Sequence, residues 1–245
     1  MFLFFDPFYI MCVMLPTLAL TLLAQWWVRS AFERNAQIPN MQRITGAQAA
    51  RMILDRAGLY HVPVEPTHRQ LVSGISGGAS FDLDDHYDPT QKVLRLSPRV
   101  YSTPSIAAIA VAAHEAGHAL QDAQGYALMR ARSALVPAAN IGSNFGIFLV
   151  IIGLVLQVAG IAWLGVGAFA LGTLFALLTL PVELNASSRA MQLLTSMGLI
   201  DRTEYGQARA VLNAAAFTYV AGLAASILNL LYWVMLVSGL SRSED

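Results

Sequence analysis

The chain has 245 residues, of which 56% are hydrophobic and only 12% charged, and its fifteen basic residues balance its fifteen acidic ones. This excludes a nucleic-acid partner held by phosphate neutralisation, which needs excess positive charge, and disorder, which needs low hydrophobicity. The single cysteine, Cys12, excludes an intrachain disulfide framework and a cysteine-based zinc site.

Charge is absent between Asp6 and Arg29, across the fifty residues 133–182, and across the thirty-two residues 210–241. A bilayer core about 30 Å thick takes about 20 apolar residues as a helix. The first gap therefore predicts one membrane span at 7–28, ending at Trp26 and Trp27, where indoles favour the interface. It has no basic n-region and no small-residue cleavage site, so it reads as a retained anchor rather than a signal peptide. The second gap predicts two spans, 141–161 and 166–181, joined by a turn in the glycine-rich stretch 160–167. The third predicts a span at 217–240. The resulting division is an N-terminal membrane helix (1–28), an aqueous domain (29–140), a membrane hairpin (141–181), an aqueous helical segment (182–216), a last membrane helix (217–240) and a tail (241–245). With four crossings, both aqueous pieces share one side of the bilayer.

Within the first aqueous piece, Thr45 precedes apolar positions Ala49, Met52, Ile53 and Ala57 at helical spacing, and Gly58 is a C-terminal stop. A β-rich stretch follows, with Val62, Val64, Leu71, Val72 and Ile75 set among prolines and glycines. In Asp85-His-Tyr-Asp-Pro89, the Asp-Pro pair marks a turn into Val93–Leu96, which predicts a hairpin or strand pair. The segment at 92–96 could pair with an extended substrate. His86 or Tyr87 could polarise a carbonyl, or the aspartates could simply cap the turn. Ser102-Thr-Pro-Ser105 then opens an alanine-rich helix from Ile106 to Asp122.

That helix carries His114-Glu-Ala-Gly-His118, an H-E-x-x-H pattern. Histidines four apart share a helix face, so both imidazoles can reach one ion. Glu115 projects beside that ion, where it can deprotonate a water and return the proton to a leaving amine. A charged glutamate in so apolar a helix would be costly without a partner, and a metal is the obvious one. Catalytic zinc commonly takes three protein ligands. The third is open among His61, His68, His86, Glu204 and Glu183. Glu183 stands out, because two spans return it to the histidine side and Pro181 can begin a helix that supports it.

The blocks at 114–121, 85–89, 95–97 and Leu180-Pro-Val-Glu-Leu-Asn-Ala-Ser187 together resemble the YugP-type neutral zinc metallopeptidases of bacterial membranes, over nearly the whole chain. A more distant likeness is to HtpX and the CAAX prenyl proteases. The resemblance implies a mainly α, polytopic membrane protein with a zincin-like aqueous domain. It implies one zinc ion held by His114, His118 and Glu183, with Glu115 as the base. The distant relatives typically carry an aspartate four positions beyond the glutamate ligand. Here that position is Ser187, which leaves Asn185 or Asp122 to supply the orienting role. The expected function is a membrane-bound zinc metalloendopeptidase acting on protein or peptide substrates, with the lipid bilayer as its other partner and no nucleic acid. A scaffold or metal-binding protein without catalysis would have no need of Glu115. An intramembrane site-2-type protease would place the motif inside a span, whereas polar Gln121, Asp122, Gln124, Arg130 and Arg132 follow it here. Arginines 29, 34, 43, 130, 132, 189, 202 and 209 lie near span ends on the domain side, against Arg242 alone on the other, so the positive-inside rule places the domain in the cytoplasm of a bacterial inner membrane.

Overall fold

The structure, a computed structural model, describes residues 6–67 and 85–244. His68, Leu71, Val72 and Ile75 lie outside the described residues. Among the described residues, four helical stretches are long and apolar enough to cross a membrane: Pro7–Ala36, Ala127–Leu156, Ala159–Ser196 and Arg202–Leu240. The described residues are mainly helical, with one small sheet.

The first stretch comprises α1 (Pro7–Tyr9), a π-helical turn (Ile10–Met14) and α2 (Leu15–Ala36). The others are α6 (Ala127–Leu156), α7 (Ala159–Ser196) and α8 (Arg202–Glu244). The turn between α6 and α7 falls at Gln157 and Val158, ahead of the glycine-rich stretch expected to form it. Gln157 takes the left-handed conformation (φ 54°). Within that stretch Gly165 serves packing instead: a Cβ on it would lie 2.5 Å from the backbone nitrogen of Val150, and one on Gly146 of α6 would lie 2.8 Å from that of Phe169, whereas Gly160 and Gly167 face open space. Small residues let apolar helices approach closely in this way. Pro181 does not start a new helix either. It lies inside α7, which loses one backbone hydrogen bond there and continues.

The chain divides into two compact units. One contains residues 1–25, 127–182 and 217–245, the other residues 26–126 and 183–216. The first is built around buried Val13, Val150, Ala162, Val166, Tyr232, Trp233 and Val237.

The second unit contains α3 (Gly46–Arg56), α4 (Pro98–Tyr101), α5 (Ile106–Ala123) and a three-stranded sheet. Thr45 and Gln48 form a reciprocal capping box at the start of α3, which satisfies two of the helix's orphan N–H groups. Gly58 follows at φ 74°, a conformation that glycine adopts without a Cβ penalty. Ser105 caps α5 through the backbone N–H of Ala108. Fourteen of the eighteen residues of α5 are buried, so it is the central helix of the unit, and its alanines let α3 pack closely against it.

The sheet has the order β1-β3-β2, with β1 at Val64–Pro66, β2 at His86–Asp88 and β3 at Val93–Leu96. β2 and β3 form the expected antiparallel hairpin, and β1 pairs with β3 in parallel. β3 therefore lies in the centre and has no edge to offer a substrate. Among the described residues, β2 is an edge strand.

Candidate metal centre

Residues 114 and 118 occupy successive turns of α5, and their rings lie 4.8 Å apart and nearly perpendicular. The C-terminal half of α7 passes close by. A Cβ on Gly117 would lie 2.9 Å from the carbonyl oxygen of Ala186, so the glycine permits this approach. Glu183 is thereby brought onto both histidines. Its Oε2 is 3.1 Å from His114 Nε2 and 3.4 Å from His118 Nε2. One ligand atom from each of the three residues lies within 4.8 Å of the others.

The outer ring nitrogens are held as well. His118 Nδ1 meets Gln121 Oε1 at 2.9 Å. An amide oxygen only accepts, so this nitrogen carries the proton. A neutral His118 would then turn its Nε2 lone pair toward a carboxylate that is itself 2% exposed. Two acceptors facing each other in a buried space require positive charge between them, either a proton or a metal ion. The proton tendency is visible in His118. Burial pulls its imidazole down, but the hydrogen bond to Glu183 and the charges of Glu115 and Glu183 outweigh that and leave its pKa raised.

A metal ion fits the same donor set. Zinc bonds of about 2.0–2.2 Å at tetrahedral angles separate neighbouring ligand atoms by about 3.4 Å, close to the spacings around Glu183 Oε2. Histidine ligands to metals almost always engage their second nitrogen, as both rings do here: His114 Nδ1 is 3.1 Å from Ser187 Oγ.

Glu115 is buried on α5 beside His114, and its Oε2 accepts from the Tyr87 backbone N–H at 3.0 Å. Strand β2 is thus fastened to the helix at this carboxylate. The Tyr87 hydroxyl donates to Asp122 Oδ2 at 2.7 Å, and Lys92 pairs with the same carboxylate. Burial, then the Asp122 hydrogen bond and charge, push the Tyr87 phenol well above its usual range. Asp85 accepts from the Ser97 backbone N–H at 2.7 Å, and Asp88 caps the turn through Thr90 and Gln91. Tyr87 is therefore committed to Asp122, while His86 is exposed on β2.

The remaining sequence candidates lie elsewhere. Glu204 Oε1 accepts from Met41 N at 2.6 Å and its Oε2 from Asp201 N at 3.1 Å, while Asp201 accepts from Glu204 N. Glu204 thus belongs to a capping box at the start of α8 and ties down Met41. Neither His61 nor His86 belongs to a group of three close donors among the described residues. Asp122 faces Tyr87 and Lys92. Asn185 Oδ1 receives Gln121 Nε2 at 2.9 Å and Arg189 Nε at 2.7 Å, so it reaches His118 only through Gln121. Gln121 and Ser187, the groups that do touch the rings, were missed as such. Helical spacing carried the signal, since they lie three residues after His118 and four after Glu183.

Residues 10–238 match the family model described as "Putative neutral zinc metallopeptidase". The chain is 43% identical over 219 residues to the Bacillus subtilis (strain 168) protein named "Putative membrane protease YugP", covering 89% of this chain and 92% of that protein. No solved structure matches.

Proposed function

We propose a function from one premise: this chain belongs to the neutral zinc metallopeptidase family whose model it matches across residues 10–238. The function is peptide-bond hydrolysis by a membrane-bound metalloendopeptidase. His114, His118 and Glu183 hold one zinc ion. When bound, zinc supplies Lewis-acid chemistry, acidifying water and polarising a carbonyl. Glu115 takes a proton from the attacking water and hands it to the departing amine nitrogen, which lets the C–N bond break without expelling an amide anion. The Tyr87 N–H fixes Glu115 Oε2 and leaves Oε1 for the proton. Gln121 and Ser187 hold the imidazoles in register, and edge strand β2, fastened beside Glu115, offers backbone groups to an extended peptide.

The observation that carries this reading is the approach of Glu183 Oε2 to both histidine Nε2 atoms, with a further carboxylate, Glu115, between them in sequence. The test is cleavage of a casein-like substrate by the purified chain, with and without a chelator, and after zinc is restored. Cleavage should stop with the chelator and return with zinc; chelator-resistant cleavage, or none with zinc bound, sinks the reading. The Tyr87–Glu115 bond favours a second reading, in which Glu115 only fastens the hairpin and the centre binds metal without turnover.

The arginine asymmetry supports a catalytic domain in the cytoplasm and both termini outside. A C-terminal reporter fusion that registers as cytoplasmic would overturn that orientation.

A further inference from the structure

A cavity of about 670 Å³ lies between residues 184–196 of α7 and 205–216 of α8, wholly within one compact unit. Ser187 lines it, and the same side chain meets His114 Nδ1 at 3.1 Å. The cavity therefore begins at a residue of the metal centre.

Its wall is mixed: Leu184, Met191, Leu212 and Ala216 supply apolar surface, and eight of its twelve side chains carry a nitrogen or oxygen, including Ser188, Gln192, Thr195 and Asn213. Such a wall suits a peptide, which carries polar and apolar groups side by side. Arg209 is the one charged side chain on it. It is exposed and has no hydrogen-bond or ion-pair partner among the described residues. Arg51, Arg95, Arg99 and Arg189, by contrast, are each engaged by acceptors. A guanidinium without a partner presents a rigid fork of donors that matches a carboxylate. Arg209 lies midway along the α8 wall.

Resting on the peptidase reading, we propose that this cavity is a substrate subsite in which Arg209 selects a peptide bearing a carboxylate within a few residues of the bond cleaved. The carboxylate is either an acidic side chain or the C-terminus of the peptide itself.

The test uses the full zinc-loaded chain in detergent. Quenched fluorogenic peptides differ only in Glu, Gln or Lys at one of the three positions on either side of the cleaved bond. A further pair ends at the position where Glu is preferred, with a free or an amidated C-terminus. In the wild type, kcat/KM should favour Glu over Gln on one side by about three- to tenfold, as a charge-assisted contact at an exposed site would give. Arg209→Gln should collapse this preference, Arg209→Lys should retain part of it, and Arg209→Glu should turn it toward Lys. A preference for the free over the amidated terminus, exceeding that for Glu, assigns the carboxylate to the chain end; the reverse order assigns it to a side chain. Binding of the same peptides to Glu115→Gln, followed by fluorescence anisotropy with and without the Arg209 changes, should give the same ranking without turnover. Equal treatment of Glu and Gln peptides by the wild type, or a preference that survives Arg209→Glu, overturns the proposal. If the wild type cleaves no peptide at all, the peptidase reading fails, and the anisotropy ranking alone still decides the role of Arg209.

Discussion

Ser187 Oγ stands 3.1 Å from His114 Nδ1 while Glu183, one turn earlier on the same helix, meets the Nε2 of that ring at 3.1 Å. One face of α7 thus addresses both nitrogens of a single imidazole. Partners that orient a metal-bound histidine are typically worth about 10- to 100-fold in metal affinity. Ser187→Ala should therefore lower zinc affinity by about tenfold, while Ser187→Asp, which keeps an acceptor at the same spacing, should hold it. Competition against a chromophoric chelator measures both. Unchanged affinity in Ser187→Ala would show that the hydroxyl does not orient the ring.

Gly117 offers a test of sign. Glycine to alanine inside a helix ordinarily stabilises by about 0.5–1 kcal/mol. Here the added Cβ would lie 2.9 Å from the Ala186 carbonyl oxygen, so α5 and α7 must separate just where Glu183 reaches the histidines. Gly117→Ala should instead destabilise by about 1–3 kcal/mol and weaken zinc binding with every ligand still present. Denaturant unfolding and zinc titration of the variant check this, and a rise in stability would contradict it.

Glu183 and Glu204 are both buried acids, with different attachments. On the proposed ligand set, removing Glu183 takes away one of three ligands, so Glu183→Ala should lose its zinc on dialysis. Glu204→Ala strips a helix cap and the acceptor for Met41 N, so it should keep its zinc but lose about 1–2 kcal/mol of stability. Metal analysis of the two dialysed variants separates the roles. Full zinc in the first with loss in the second would reverse the assignment.

The raised pKa of His118 gives a pH dependence of known sign. In the metal-free chain, a histidine whose folded pKa exceeds its unfolded value, about 6.5, stabilises fully below that value. This contribution is lost as pH rises through the raised folded value. Zinc needs the neutral ring, so protons compete with it and its stabilisation grows across the same interval. The gap in Tm between zinc-loaded and chelator-treated protein should therefore widen from pH 6 to pH 8. A gap that narrows would show that the centre does not exchange protons for metal.

Much of the architecture was legible because it rests on local rules. Long runs without charge mark helices that can cross a membrane, Thr45 and Ser105 are caps whose side chains bond where the pattern places them, and two histidines four apart share a face in any helix. What escaped depends on tertiary contact. The glycine-rich stretch around residue 165 looks like a turn in sequence, but it lies within α7 and Gly165 provides close approach between helices. Pro181 looks like a helix start, yet α7 runs through it, and the path to Glu183 survives for that reason. The choice between Asn185 and Asp122 as orienting group fell to neither directly, because Gln121 and Ser187 stand nearer the rings. Strand order was likewise out of reach, since only the pairing of β1 with β3 moves the edge to β2.

The most direct measurement is peptide cleavage by Glu115→Gln beside the wild type, with zinc content determined on the same samples. The substitution keeps an acceptor for the Tyr87 N–H but removes the group that carries the proton. The account predicts equal zinc in both proteins and turnover lower by about 10²- to 10⁴-fold in the variant. Equal zinc with near wild-type cleavage would contradict it.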